Sequence, residues 1–468
     1  MVKRVFLCGI AGTGMSALAG LFRQRGFEVF GSDRRFYPPV DQLLKELDVT
    51  LFEGFDAAHI PADVDFCVIG NVISRGNPEA ETILDRGLEY YSMAEALQRF
   101  FLHGKRSLVV AGSHGKTTTA SFVAHLLDVA GLKPGFFIGG KPLNFAANHR
   151  LAAGEYFVSE GDEYETAFFD RSAKFFKYRP ELLLITALEH DHVDFYPTAE
   201  SYLRSFRDLV DQVPGRGRII ANGDYEMARQ AVARAHTPVL FYGGAENDRR
   251  IVDLKPGRDG CGFTLESDEG RRRYHCPLPG AYNAWNVAAG IVLAQELGLE
   301  EAVVERALET FRGVERRLSA VGRLGKTVFL SDFAHHPTAI AQVLAALPHA
   351  YPGHRIVAVF DPRSWSLRRN FFQERLPQAL SRADEIVIND IYEKEKIPPE
   401  QRLSLDALRS ALEAMGRKVR IGADLESILG YLGTLDLERE QVVILLSNGD
   451  VRPFGDWLER LTSKGHLR

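Results

Sequence analysis

The residues of this chain best suited to chemistry lie in Leu108-Val-Val-Ala-Gly112-Ser113-His114-Gly115-Lys116-Thr117-Thr118-Thr119, an apolar run feeding a glycine turn and a helix that opens on threonines. That order suits a triphosphate. Glycines let backbone N–H groups close around phosphate oxygens, a helix N-terminus adds its positive dipole end, Lys116 reaches β- and γ-oxygens, and the Thr117 hydroxyl can ligate Mg²⁺. The loop departs from the spacing Gly-x-x-x-x-Gly-Lys-Thr, because Val110 stands where the first glycine would be and Gly112 comes two residues later.

Two acidic clusters follow apolar runs of the same region. Tyr156-Phe-Val-Ser-Glu160-Gly-Asp-Glu163 sets carboxylates at one strand end, and Leu182-Leu-Leu-Ile-Thr-Ala-Leu-Glu189-His-Asp191-His192-Val-Asp194 sets acids and histidines at another. In such sheets a metal ligand commonly sits at the end of a strand neighbouring the phosphate loop. Single strand-end charges are usually just solvated; several converging on one phosphate loop point to Mg²⁺. Magnesium prefers oxygen donors, so a histidine contact would mark an unusual second position, with Mn²⁺ tolerated.

A second glycine turn, Gly9-Ile-Ala-Gly12-Thr13-Gly14-Met15-Ser16, follows the first strand and opens a helix, with Asp33 at the end of the second strand. Its glycines run G-x-x-G-x-G and not G-x-G-x-x-G. The turn therefore supports a diphosphate on a helix N-terminus, with Ser32 or Asp33 reaching a ribose or base, and does not single out nicotinamide. Two nucleotide sites suggest activation: a substrate held by its diphosphate turns a carboxylate to the γ-phosphate, and an amine then attacks the acyl phosphate. A nicotinamide-dependent oxidoreductase is the rival reading, and it leaves Gly115-Lys116-Thr117 idle. A nucleotide sensor without catalysis is another.

These loops need sheets to hold them. Short β-branched runs alternate with helical patterns, which argues for parallel sheets covered by helices, an α/β fold. The first block has strands near Val5–Cys8, Glu28–Phe30 and Phe66–Ile69 and a helix over about Met15 to Arg25. The second has strands at Leu108–Ala111, Tyr156–Ser159, Leu182–Thr186 and Arg218–Ala221, a glycine-rich antiparallel excursion around Gly243–Tyr274, and a helix from Asn283 to Glu296. After a linker at Phe311–Leu318 come strands at Val328–Leu330, Arg355–Phe360, Glu385–Ile388 and Gln441–Leu446. The expected domains are 1–104, Rossmann-like; 105–314, a P-loop ATPase-like unit; and 315–468, Rossmann-like again. A length of 468 residues accommodates three such cores.

Composition narrows the setting. With 57 Lys+Arg against 62 Asp+Glu, the charge balance does not call for nucleic acid or a membrane surface. No apolar stretch reaches the roughly 18–20 residues of a membrane helix, and the start enters a strand without a signal-peptide region. Cys8, Cys67, Cys261 and Cys276 lack C-x-x-C spacing and read as reduced structural thiols. A cytoplasmic protein, monomeric or weakly dimeric, is expected.

At this point the chain resembles the Mur ligase family of peptidoglycan synthesis over essentially its whole length. The glycine turn with Met15, the loop Gly112-Ser-His-Gly-Lys-Thr-Thr-Thr119, Glu160-Gly-Asp-Glu163, Glu189-His-Asp-His192, Asn283 with Asn286, Arg316-Arg317 and Asp332-Phe-Ala-His335-His336-Pro337 occur in the family's order. Phe36-Tyr-Pro-Pro39, Ile69-Gly-Asn71-Val-Ile-Ser-Arg75, Pro362-Arg363-Ser364 and Ser447-Asn-Gly449 look most like members that join UDP-N-acetylmuramate to the tripeptide L-alanyl-γ-D-glutamyl-meso-diaminopimelate in peptidoglycan recycling. The nearest alternative is the set of members that use L-alanine instead.

The resemblance implies an ATP-dependent, amide-forming ligase with UDP-N-acetylmuramate and a cell-wall peptide as partners. It implies that Gly9, Gly12, Thr13, Gly14, Met15, Ser16 and Asp33 bind the UDP part, with Asn71, Arg75 and His114 near the sugar nucleotide. Gly112 to Thr118 would hold ATP, Thr117 and Glu160 the first magnesium, and His192 a second. Asn283 and Asn286 match an adenine-contacting helix start, where Tyr282 replaces the family's histidine. Arg316 or Arg317 would approach the phosphates on closure, Asp332, His335 and His336 would face ATP and the amine, and Arg363, Arg368 and Ser447 the peptide's carboxylates. Hinges are expected near Gly104 and Gly313.

Overall fold

The computed structural model describes residues 2–36 and 40–463. Tyr37, Pro38 and Pro39, part of the segment compared with the recycling ligases, lie outside the described residues, as do Met1 and 464–468.

The β-branched runs form three large sheets in succession, beside a small two-stranded one, Glu165–Ala167 with Asp170–Ala173. The first is all parallel, with Arg4–Cys8 at its centre between Glu28–Asp33 and Phe66–Ile69, and with Thr50–Glu53 and Tyr90–Ser92 at its edges. The third places Thr327–Asp332 and Arg355–Phe360 on either side of the fully buried strand Gln441–Leu446. Glu385–Ile388 and Lys418–Ile421 extend it, and one antiparallel strand, Ser319–Leu324, closes its edge. The α/β expectation in three successive units therefore holds.

The middle sheet has ten strands, and its order positions the site. Arg106–Ala111, which leads into the phosphate loop, lies between Leu182–Ile185 and Tyr156–Glu160; Ile185 is level with Ala111, and Glu160 with Val110. The strand order reverses at this central strand, leaving a crevice beyond its C-terminal end. Both acidic clusters therefore open beside the phosphate loop. The glycine-rich excursion is three antiparallel strands, Arg249–Gly257, Gly260–Ser267 and Gly270–Cys276, on one flank.

The helix Lys116–Val129 packs against Tyr282–Glu296 and Glu301–Thr310 over one face of the middle sheet. On the other face one continuous apolar core, including Leu18, Met93, Phe137, Phe157 and Phe206, joins the first sheet to the second. All four cysteines are free and buried. Among the described residues no helix is long and apolar enough to cross a membrane.

Candidate active site

The turn after Ala111 requires glycine twice. Gly112 has φ +129° and a Cβ there would stand 2.4 Å from the Thr186 hydroxyl; Gly115 has φ +84° and caps the helix with no side-chain bond to its first N–H groups. No acidic side chain occupies the first turn. The helix therefore presents free N–H groups to an anion. Ser113 is tied down by donating to the Glu189 carbonyl at 2.6 Å and accepting from the Glu189 N–H at 2.9 Å.

Lys116 reaches from this helix start to Glu163, with Nζ 2.9 Å from both carboxylate oxygens and 2.6 Å from the Gly112 carbonyl. Burial would raise Glu163, but Lys116 and His192 hold it down at about 2. Burial likewise opposes the Lys116 charge, and Glu163 and Glu160 outweigh it, so the ammonium stays above the ordinary lysine value. His192, at φ +52°, turns Nε2 to within 3.5 Å of Glu163, and that carboxylate raises its pKa against the effect of burial. Tyr164 lies edge-on to the His192 ring, and Tyr202 donates to Glu163 at 3.0 Å.

Glu160 accepts from the Thr117 hydroxyl at 2.9 Å and from the Gly139 N–H at 2.8 Å. Burial pushes its carboxyl above the ordinary value, against the pull of Lys116. A half-buried carboxylate beside a hydroxyl is an oxygen donor set suited to Mg²⁺. Thr117 and Glu160, the pair expected at the first Mg²⁺, are in contact, and His192, expected at a second ion, faces Glu163.

Loops of the third unit close over this cleft. Arg317 donates to the Thr117 hydroxyl at 3.3 Å, Ser366 to Asp191 at 3.0 Å, and Thr338 and Arg375 each to Glu189 at 3.0 Å. The two linker arginines part company. Arg316, at φ +61°, turns away from the phosphate loop and donates to the carbonyls of Ser447 and Gly449 at 2.8 and 2.7 Å. Of the two arginines expected near the phosphates, Arg316 organises the 447–449 loop, and Arg317 reaches the phosphate loop. Asp332 is buried and accepts from the N–H groups of Leu318 and Ala334, both at 2.7 Å, so it fixes the linker's far end. His335 is tied to the Phe333 carbonyl at 2.9 Å, and burial depresses it to about 4; His336 is the cap of the helix Pro337–Ala350.

Asn286 donates to Asn283 at 2.9 Å, and its Oδ1 lies against Gly115; Asn283 donates to the Pro279 carbonyl. Tyr282 packs on the core of the third unit, consistent with a domain contact. Arg363 and Ser447 share Asp361, at 2.7 Å each. Arg368 lies over Trp365, itself stacked under Arg369 at 3.8 Å, and both Arg363 and Arg368 approach the Tyr392 ring. Trp365, Phe371 and Tyr392 are exposed.

In the first unit, Gly12 is the helix cap and opens onto free space, with Thr13 and Gly14 beginning the helix. A Cβ at Gly14 would meet Met93 Sδ at 2.7 Å, and Gly9 has φ +82°. Asp33 accepts from the Ala11 N–H at 2.8 Å, so it orders the glycine turn; Ser16 donates to the Thr13 carbonyl, and Met15 is buried. Asn71 is exposed on the rim, and Arg75 forms a two-point ion pair with Glu81. Glu163 and Asp191 were not singled out as functional residues from sequence; the strand-end clusters contain them, but only the contacts with Lys116 and Ser366 distinguish them from their neighbours.

Three nucleotide-type sheets, two glycine turns and a lysine–carboxylate cleft closed by a third unit define a multidomain nucleotide-using enzyme. Family models match in the same order: "Mur ligase family, catalytic domain" over residues 5–105, "Mur ligase middle domain" over 110–294 and "Mur ligase, glutamate ligase domain" over 316–449. The chain is 37% identical over 387 residues to the UDP-N-acetylmuramate–L-alanyl-γ-D-glutamyl-meso-2,6-diaminoheptandioate ligase of Escherichia coli K12, covering 82% of this chain and 84% of that protein. It is 30% identical to the UDP-N-acetylmuramate–L-alanine ligase of Syntrophomonas wolfei, over 97% of this chain and 96% of that one. The crystal structure of a murein peptide ligase from Psychrobacter arcticus superposes with a TM-score of 0.75 at 29% identity, covering 100% of this chain and 99% of that chain. The chain belongs to the Mur ligase family.

Proposed function

We propose that this protein uses ATP to join the carboxylate of UDP-N-acetylmuramate to the α-amine of L-alanyl-γ-D-glutamyl-meso-diaminopimelate, releasing ADP and phosphate. The observation that carries the reading is the contact chain Arg317–Thr117–Glu160 beside Lys116–Glu163–His192, a cleft with charges of both signs at the mouth of a phosphate loop. The UDP part would lie on the glycine turn at Gly9–Met15, ATP between the phosphate loop and Asn283/Asn286, and the peptide against the third unit.

In this cleft Lys116 exchanges Glu163 for a γ-phosphate oxygen, and Arg317 adds a second cation as charge develops. The muramoyl carboxylate oxygen bonds to the γ-phosphorus as the bond to ADP breaks, giving an acyl phosphate. The neutral peptide amine then attacks the acyl carbon, and phosphate leaves together with one proton from the amine. Thr117 and Glu160 would hold Mg²⁺, which supplies charge neutralisation at the phosphates. Closure of the third unit excludes water, which protects the acyl phosphate from hydrolysis.

The tripeptide is favoured over L-alanine by Arg363, Arg368 and Arg369 around the exposed rings of Trp365 and Tyr392. Such a platform answers the several carboxylates of a peptide better than the one of an amino acid. The four buried, free cysteines accord with action in the cytoplasm. ADP release measured with UDP-N-acetylmuramate plus either amine tests the assignment. Turnover with the tripeptide and a product of the summed mass less water are expected; turnover with L-alanine alone would move the protein to the alanine-adding branch.

A further inference from the structure

We infer that His114, Glu189 and His336 form a binding site for one divalent transition metal of the zinc type, set apart from the oxygen donors Thr117 and Glu160 and linking the third unit to the phosphate loop. The three side chains come from separate segments: the phosphate loop, the loop after Leu182–Ile185, and the cap of Pro337–Ala350. Their donor atoms all lie within 4.8 Å of one another. His114 Nε2 and Glu189 Oε1 are 3.6 Å apart, beyond a hydrogen bond and close to the roughly 3.3 Å between ligand atoms of a tetrahedral site with bonds of about 2 Å.

A second observation points to a ligand at this spot. His114 Nε2, Glu189 Oε1 and His336 Nε2 are all buried and none has a hydrogen-bond partner, and the whole His336 residue is 0% exposed. Buried polar groups are ordinarily satisfied, so three unpartnered atoms on side chains gathered this closely, with His114 and Glu189 within ion-pair range of each other, point to a shared partner. A cation would take a lone pair from each of them, from His336 Nε2 once its ring has changed tautomer. The outer oxygen of Glu189 is already held by Thr338 and Arg375, as carboxylate ligands usually are.

The donor set selects the ion. Two imidazoles and one carboxylate are a zinc-type set that leaves a fourth position for water, whereas Mg²⁺ prefers oxygen throughout. His336 Nδ1 accepts from the Thr338 N–H at 3.2 Å, so the neutral ring carries its proton on Nε2. Loading moves that proton to Nδ1 and gives up this long cap bond. Because His114 and Glu189 belong to the middle unit and His336 to the third, the ion bridges the two.

The test is Co²⁺ binding to the full chain without substrates, by equilibrium dialysis and visible absorption against millimolar Mg²⁺. One Co²⁺ per chain with the intense d–d band of a four-coordinate site is expected in wild type and in Glu160→Gln, and its loss in Glu189→Gln and His336→Gln. Arg375→Ala, which removes only the outer support of Glu189, should weaken binding about ten- to a hundredfold, and it keeps the question open to test if His336→Gln does not fold. No stoichiometric Co²⁺ in wild type, retention in Glu189→Gln, or loss in Glu160→Gln would overturn the site. None of these results bears on ligase turnover, which is measured separately.

Discussion

Lys116 meets Glu163 before any substrate arrives, so its charge is never bare in the low-dielectric cleft and can be handed to a phosphoryl oxygen. Lys116→Ala should lower ADP release on the order of 10²–10³-fold while leaving UDP-sugar binding by calorimetry unchanged, since the first glycine turn lies on another sheet. Glu163 also fixes a pH dependence. Lys116 and His192 hold it at about 2, below the ordinary carboxylate value of 4.5, so its stabilisation is fully present above pH 4.5 and is lost as the pH falls towards 2. The melting-temperature gap between wild type and Glu163→Gln should be widest above pH 4.5 and narrow towards pH 2; a gap that is constant with pH would contradict the ion pair. Residue type and spacing made Lys116, Thr117 and Glu160 legible in the sequence. They could not separate Arg316 from Arg317, because the left-handed turn at Arg316 decides which one faces Thr117 of the phosphate loop.

At the level of elements, the central strands were readable because each is a continuous apolar run buried on both faces, as Gln441–Leu446 is. Thr50–Glu53 and Lys418–Ile421 were not, since they are edge strands with few buried side chains. The short pair Gly135–Phe137 and His149–Arg150 was also missed, and it makes a contact that local pattern cannot show. His149 is buried against Gly20 of the first unit's helix, where a Cβ would fall 1.9 Å from the imidazole Nε2. Burial pushes this imidazole down to about 4. Gly20→Ala should cost about 1–3 kcal/mol in thermal or urea unfolding, and His149→Ala in the same chain should recover part of it. Equal, additive losses would mean that the two do not touch in solution.

Across the whole molecule, the proposed reaction calls for the third unit to close on the second and then release. Arg317, Ser366, Thr338 and Arg375 make the closing contacts, and Gly104 and Gly313, with φ of +79° and +82°, mark the chain segments between sheets. Arg317→Ala should reduce kcat on the order of 10²-fold with little change in the KM for UDP-N-acetylmuramate, because it touches the phosphate loop and not the first unit. Comparable loss in KM would place Arg317 in ground-state binding. The central claim is that a sugar-nucleotide carboxylate is phosphorylated in this cleft before the amine arrives. It is tested most directly with UDP-N-acetylmuramate carrying ¹⁸O in its carboxylate, turned over with ATP and the tripeptide, and mass analysis of the released phosphate. One ¹⁸O atom per phosphate is expected; amide product accompanied by unlabelled phosphate would contradict the acyl-phosphate route and the roles assigned to Lys116, Thr117 and Glu160.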